Sequence, residues 1–149
     1  ELEFSYRGGV LSAAMAGGPF LLGEDPLNLV AGDFAGSAPP LTFSADETFD
    51  QNLLPRMGVG LTETGALIFL AVDGRNFDRA PGFTLGMTAR ALRALGCVRA
   101  MNLDGGSSKR MVVGDRVVDL SSTEVVDGEL DASKVRPVRS GILLFPGAG

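Results

Sequence analysis

Apolar positions along the chain fall into short runs punctuated by glycine, and one stretch alone keeps a helical period. Residues 57–61 and 66–72 are β-rich runs joined through Thr62-Glu63-Thr64-Gly65, which predicts a hairpin. With Thr64-Gly65 as a two-residue turn, Glu63 faces Ala66, and counting outward sets Arg56 opposite Asp73. Leu85, Thr88, Ala89, Leu92 and Leu95 share one face of a helix over about 84–95. Thr84 caps that helix, Arg90 and Arg93 lie outside, and Gly96 ends it. Val98, Ala100, Met101 and Leu103 then make a buried strand bounded by glycine on both sides.

The remaining runs are shorter. Phe20-Leu21-Leu22 reads as a strand closed by Gly23, residues 110–113 and 116–120 as a hairpin about Gly114-Asp115, and 140–145 as a last strand. Residues 1–6 alternate like an edge strand before a turn at Gly8-Gly9. Residues 32–50 and 121–134 read as polar loops. The order of elements predicts a single α+β domain over 1–149, with a mixed, largely antiparallel sheet and one main packing helix.

Composition narrows the function classes. A chain of 149 residues with 45% hydrophobic and 21% charged content can bury a core, and 21 glycines with 8 prolines suit short strands and many turns. No apolar run approaches the roughly 20 residues of a membrane-spanning helix. The net charge of -5 argues against non-specific nucleic-acid binding, which needs a basic face. That charge is uneven: residues 1–50 hold eight acidic residues against Arg7 (net -7), whereas 51–149 hold twelve basic against ten acidic (net +2). The second part suits a small anionic ligand held by guanidinium groups. There is no histidine, so Ser-His-Asp and Cys-His catalysis and histidine-ligated zinc are excluded, and acid-base work falls on Asp or Glu. The lone Cys97, in an apolar setting, is expected to be a packed thiol.

The densest candidate chemistry is Asn102-Leu103-Asp104-Gly105-Gly106-Ser107-Ser108, a polar, glycine-bearing loop at the end of the predicted strand. Paired glycines permit close approach to the main chain, and the amides of Gly106, Ser107 and Ser108 can converge on an anion, with Asp104 at the lip. The same residues also fit a tight turn in which Asp104 bonds its own backbone.

This loop is one of a series: Pro55-Arg56-Met57-Gly58-Val59-Gly60, Val72-Asp73-Gly74-Arg75, Gly82-Phe83-Thr84-Leu85, Leu95-Gly96, residues 102–108, and Arg136-Pro137-Val138. In order and spacing the series resembles the phosphodiester glycosidase domain family, from about Gly17 to Phe145. Two differences stand out. The family's loop commonly reads Asp-Gly-Gly-Gly-Ser-Ser, whereas this chain has Ser107 for the third glycine and continues through Ser108 into Lys109 and Arg110. The family's N-terminal Asn-Gly-Gly-aromatic-aromatic motif is not found here, so the chain reads either as the C-terminal part of the domain, which would take a companion N-terminal segment or chain as partner, or as a reduced version of it.

The resemblance implies hydrolysis of a glycosyl phosphodiester in a phosphorylated glycan, outside the cytoplasm or at a cell surface. Arg56 and Arg75 would bind phosphate with the amides of Gly105, Gly106 and Ser107 and with Ser108, Asn102 would bond a sugar hydroxyl, and Asp104 or Asp73 would be the acid-base or nucleophilic carboxylate, the other being free to orient an arginine. No cofactor is required, although Asp73 and Asp104 together are oxygen ligands suited to Ca²⁺ or Mg²⁺. The alternative reading is a non-catalytic glycan- or phosphate-binding module of a bacterial envelope protein.

Overall fold

The structure, a computed structural model, describes residues 17–23, 53–75, 79–120, 124–126, 129–131, 137–138 and 141–145. The expected strand at 1–6, the turn at Gly8-Gly9 and the loop at 32–50 lie outside the described residues.

Four strands form the main sheet: β1 (Phe20–Leu22), β2 (Arg56–Thr62), β3 (Leu67–Val72) and β4 (Cys97–Leu103). Their order is β1-β4-β2-β3, and every neighbouring pair is antiparallel. Helix α1 (Leu85–Ala94) packs on one face. The architecture is α+β, as the residue pattern predicts. Three smaller pieces follow: a 3-10 turn at Gly106–Ser108, a hairpin of β5 (Val112–Val113) and β6 (Arg116–Val117), and a second hairpin of β7 (Glu124–Val126) and β8 (Glu129–Asp131).

The core lies between α1 and the sheet. Leu21, Leu22, Leu85, Leu92, Cys97 and Ala100 are its buried members, with Ile68, Leu70 and Ala89 packed against them. Alternation along β2 turns Arg56, Gly58 and Gly60 toward the helix and Met57, Val59 and Leu61 away from it. Leu92 leans so close that a Cβ on Gly58 would stand 3.0 Å from its Cδ1. Thr84 caps α1 as expected, its Oγ1 accepting the Met87 amide at 3.1 Å. The helical face is narrower than the pattern suggests: Leu85, Gly86, Thr88 and Leu92 are buried, whereas Leu95 sits at the C-cap and is half exposed.

Three expectations are corrected. The β2–β3 register is one residue off the predicted one, pairing Arg56 with Val72 and Leu61 with Leu67. The turn is a three-residue loop, Glu63-Thr64-Gly65, closed by the Thr62 amide to Ala66 O, with Gly65 at φ 85 where a side chain would be strained. Within 121–134, read as a loop, β7 and β8 pair; Asp127-Gly128, the dipeptide that hairpin turns favour, lies between them in sequence. Of the last predicted strand, residues 141–145 are exposed and in no strand. Their apolar composition signalled burial, but no described strand pairs with them.

Candidate functional site

The antiparallel order brings the start of β2 and the ends of β3 and β4 to one end of the sheet. Continuing the β2–β4 register by one position sets Asp104 across from Arg56, and continuing β2–β3 sets Asp73 across from Pro55. Pro55-Arg56 is therefore flanked by two Asp-Gly steps. Each glycine is there for space: a Cβ on Gly74 would stand 2.4 Å from Pro55 N, and one on Gly105 2.5 Å from Pro55 O. What approaches these glycines is the protein's own main chain. The Gly106 amide donates to Pro55 O at 2.9 Å and the Ser108 amide to Gly105 O at 3.0 Å. Gly106 and Ser108 are thus removed from the set of anion-binding amides, and those of Gly105 and Ser107 remain.

Arg56 is buried at 2% exposure, and its Nε donates to Phe83 O at 3.0 Å. Phe83 immediately precedes the cap of α1 and also bridges to Leu54, so helix start, arginine and strand entry are tied together. Arg75 is half exposed and stands at φ 52, a left-handed backbone that non-glycine residues seldom adopt and that clusters at functional sites. Asp104 is exposed. The second carboxylate is held differently: Asp73 Oδ1 accepts from Lys109 Nζ at 2.6 Å and from the Leu120 amide at 2.9 Å.

Asn102 is buried in β4. Its Nδ2 donates to Gly18 O at 3.1 Å and Leu103 O at 2.9 Å, and these two carbonyls fix which end of the amide is nitrogen. Its Oδ1 has no hydrogen-bond partner among the described residues. Ser107 and Ser108 lie in the 3-10 turn, both half exposed.

The sequence reading did not single out Lys109, Asp119 or the carbonyl of Phe83. Lys109 has a fully buried side chain and also reaches Asp119 Oδ2 at 2.9 Å, while Asp119 Oδ1 accepts the Met111 amide at 2.7 Å and Arg110 Nη1 stands 3.4 Å from Asp119 Oδ2. The available signal was the departure itself, a lysine where the glycine-serine loop ends.

Guanidinium, carboxylate and main-chain amide groups thus lie at one end of an antiparallel sheet. A family model described as phosphodiester glycosidase matches residues 6–145, and the chain belongs to that family. Among solved structures it is similar to a protein of Burkholderia pseudomallei described as exported, at 34% identity and TM-score 0.46 over 47% of this chain and 13% of that one. It is also similar to the catalytic domain of zebrafish N-acetylglucosamine-1-phosphodiester alpha-N-acetylglucosaminidase, auto-inhibited by its pro-peptide, at 31% identity and TM-score 0.45 over 50% of this chain and 24% of that one. A Synechocystis protein matches at 32% identity and TM-score 0.43, over 56% and 16% of the respective chains. No curated protein matches the chain.

Proposed function

We propose that the chain is a hydrolase acting on a glycosyl phosphodiester in a phosphorylated glycan outside the cytoplasm. Water adds to the anomeric carbon, the bond from that carbon to the bridging phosphate oxygen breaks, and a free sugar and a phosphomonoester leave. The observation that carries this reading is the exposed Asp104 at the same end of the sheet as the buried Arg56, both one position past the β2–β4 ladder, in a chain of this family. A carboxylate open to substrate beside a fixed positive charge is what protonation or attack at a phosphate-bearing anomeric centre calls for.

Burial divides the two arginines. Arg75, half exposed, contacts the phosphate directly with the amides of Gly105 and Ser107 and the Ser108 hydroxyl, while Arg56 adds its positive charge from beneath. Asp104 is the acid-base or nucleophilic carboxylate and Asp73 the second carboxylate that glycoside hydrolysis ordinarily uses. Asn102, its amide buried, holds the Gly18 and Leu103 carbonyls and is assigned no substrate contact. Asp73 Oδ1 already carries the Lys109 ammonium.

The test is turnover of a sugar-1-phosphodiester by Asp104→Asn, which keeps the side chain's size and removes its ionisable group. Turnover should fall about 100-fold or more while binding changes little. Arg75→Ala should raise KM as well. A folded Asp104→Asn protein with wild-type turnover would remove Asp104 from catalysis; ligand binding by a wild type that never turns over would instead favour the non-catalytic binding module.

A further inference from the structure

Lys109 is a buried lysine whose hydrogen-bonding capacity is fully used. An ammonium has three N–H groups, and three acceptors surround this one: Asp73 Oδ1 at 2.6 Å, Asp119 Oδ2 at 2.9 Å and Leu120 O at 3.4 Å. It follows the 3-10 turn of the site loop directly, so the contact to Asp73 joins the ends of β4 and β3 across 36 residues of sequence. Leu120 closes the other side. Its amide donates to the same Asp73 oxygen, and its carbonyl accepts from Lys109. Asp73 Oδ1 is therefore fixed from two directions, while the side chain as a whole keeps 29% exposure. One carboxylate oxygen is anchored inside the protein and the other is left to face outward.

We propose that Lys109 is a positioning residue: with the Leu120 amide it fixes the rotation of the Asp73 carboxylate so that Oδ2 is presented at the site end of the sheet, next to Pro55-Arg56 and the Asp104 loop. Asp119 in turn holds Lys109, accepting from it on Oδ2 while its Oδ1 takes the Met111 amide. Charges balance within this group, Lys109 and Arg110 against Asp73 and Asp119. The inference rests on the reading above in giving Asp73 a part in the reaction, but the contact it invokes has its own readout.

Two measurements test it. The first needs no activity, because the sequence holds two lysines, Lys109 and Lys134. Reductive ¹³C-methylation of the native protein, followed by NMR, should leave Lys109 unlabelled in the wild type. In Asp73→Asn it should become labelled, and continued protection there would overturn the proposal. The second is a kinetic double-mutant cycle on a sugar-1-phosphodiester with Lys109→Met, Asp73→Asn and the pair. Lys109→Met should lower kcat about 100-fold, the scale of an ångström-level misplacement of a reacting group, with KM nearly unchanged. In the Asp73→Asn background it should add no further loss. Losses that multiply instead would mean that Lys109 acts only on the fold, and would overturn the proposal. A wild type inactive on every sugar phosphodiester refutes the hydrolase reading, and the labelling result then decides the Lys109–Asp73 contact by itself.

Discussion

Gly105→Ala is the sharpest perturbation of the site loop. At φ -110 the backbone carries no left-handed penalty, so the effect is steric. The new Cβ would meet Pro55 O at 2.5 Å and Arg56 Cα at 3.4 Å, both main-chain atoms that no rotamer change can move. Reaching ordinary contact distance requires the loop to retreat by about 0.9 Å, the gap between 2.5 and 3.4 Å. Overpacking of this kind costs about 1–3 kcal/mol. The Gly106 amide's bond to Pro55 O, one residue on, would stretch with it and forfeit about 1 kcal/mol more. A total of about 2–4 kcal/mol, at about 2–4 °C for each kcal/mol in a chain of this size, is readily seen by calorimetry. Turnover should fall by up to about 100-fold, because Asp104 moves with the loop. Gly141→Ala, with nothing within 4 Å of its Cβ, is the control and should match the wild type. A Gly105→Ala protein with unchanged melting temperature and unchanged turnover would refute the close approach of Pro55 and the argument built on it.

Other outcomes follow from the same geometry. Leu92→Ala empties the space between α1 and β2 and should cost about 2–5 kcal/mol in chemical denaturation. Thr84→Ala removes the helix cap and should cost about 0.5–2 kcal/mol by the same measurement. Burial raises the Cys97 thiol above its ordinary pKa, so reaction with a thiol reagent should be slow in the native protein and fast once it is unfolded. Because the folded-state pKa is the higher one, this thiol's contribution to stability is complete below the unfolded pKa and is lost as pH rises through the folded value, steepening alkaline unfolding.

Much of the fold was legible because the periods differ cleanly. Two-residue alternation marks β2, a continuous apolar run marks β3, a helical stripe marks α1, and glycine punctuates most boundaries. The hairpin register was not. Thr64-Gly65 satisfies a two-residue turn as well as it does the end of a three-residue loop, and that choice shifts Arg56 from Asp73 to Val72. Several site residues were recognisable by type, and the Asp-Gly steps by spacing, but their states depend on partners distant in sequence. Lys109 looks like a solvated charge until Asp73 and Asp119 fold over it. Gly106 looks like an anion-binding amide until Pro55 takes its proton donor.

The acceptor of the Arg56 Nε–H is a main-chain oxygen, Phe83 O. Every residue type carries that oxygen, so drift at position 83 leaves the arginine's anchor intact, and no pattern of paired substitutions between 56 and 83 would betray the contact. Mutagenesis of side chains is equally blind to it. The bond is open to a chemical edit of the backbone instead: an ester in place of the amide between Phe83 and Thr84 weakens the carbonyl as an acceptor while every side chain keeps its identity.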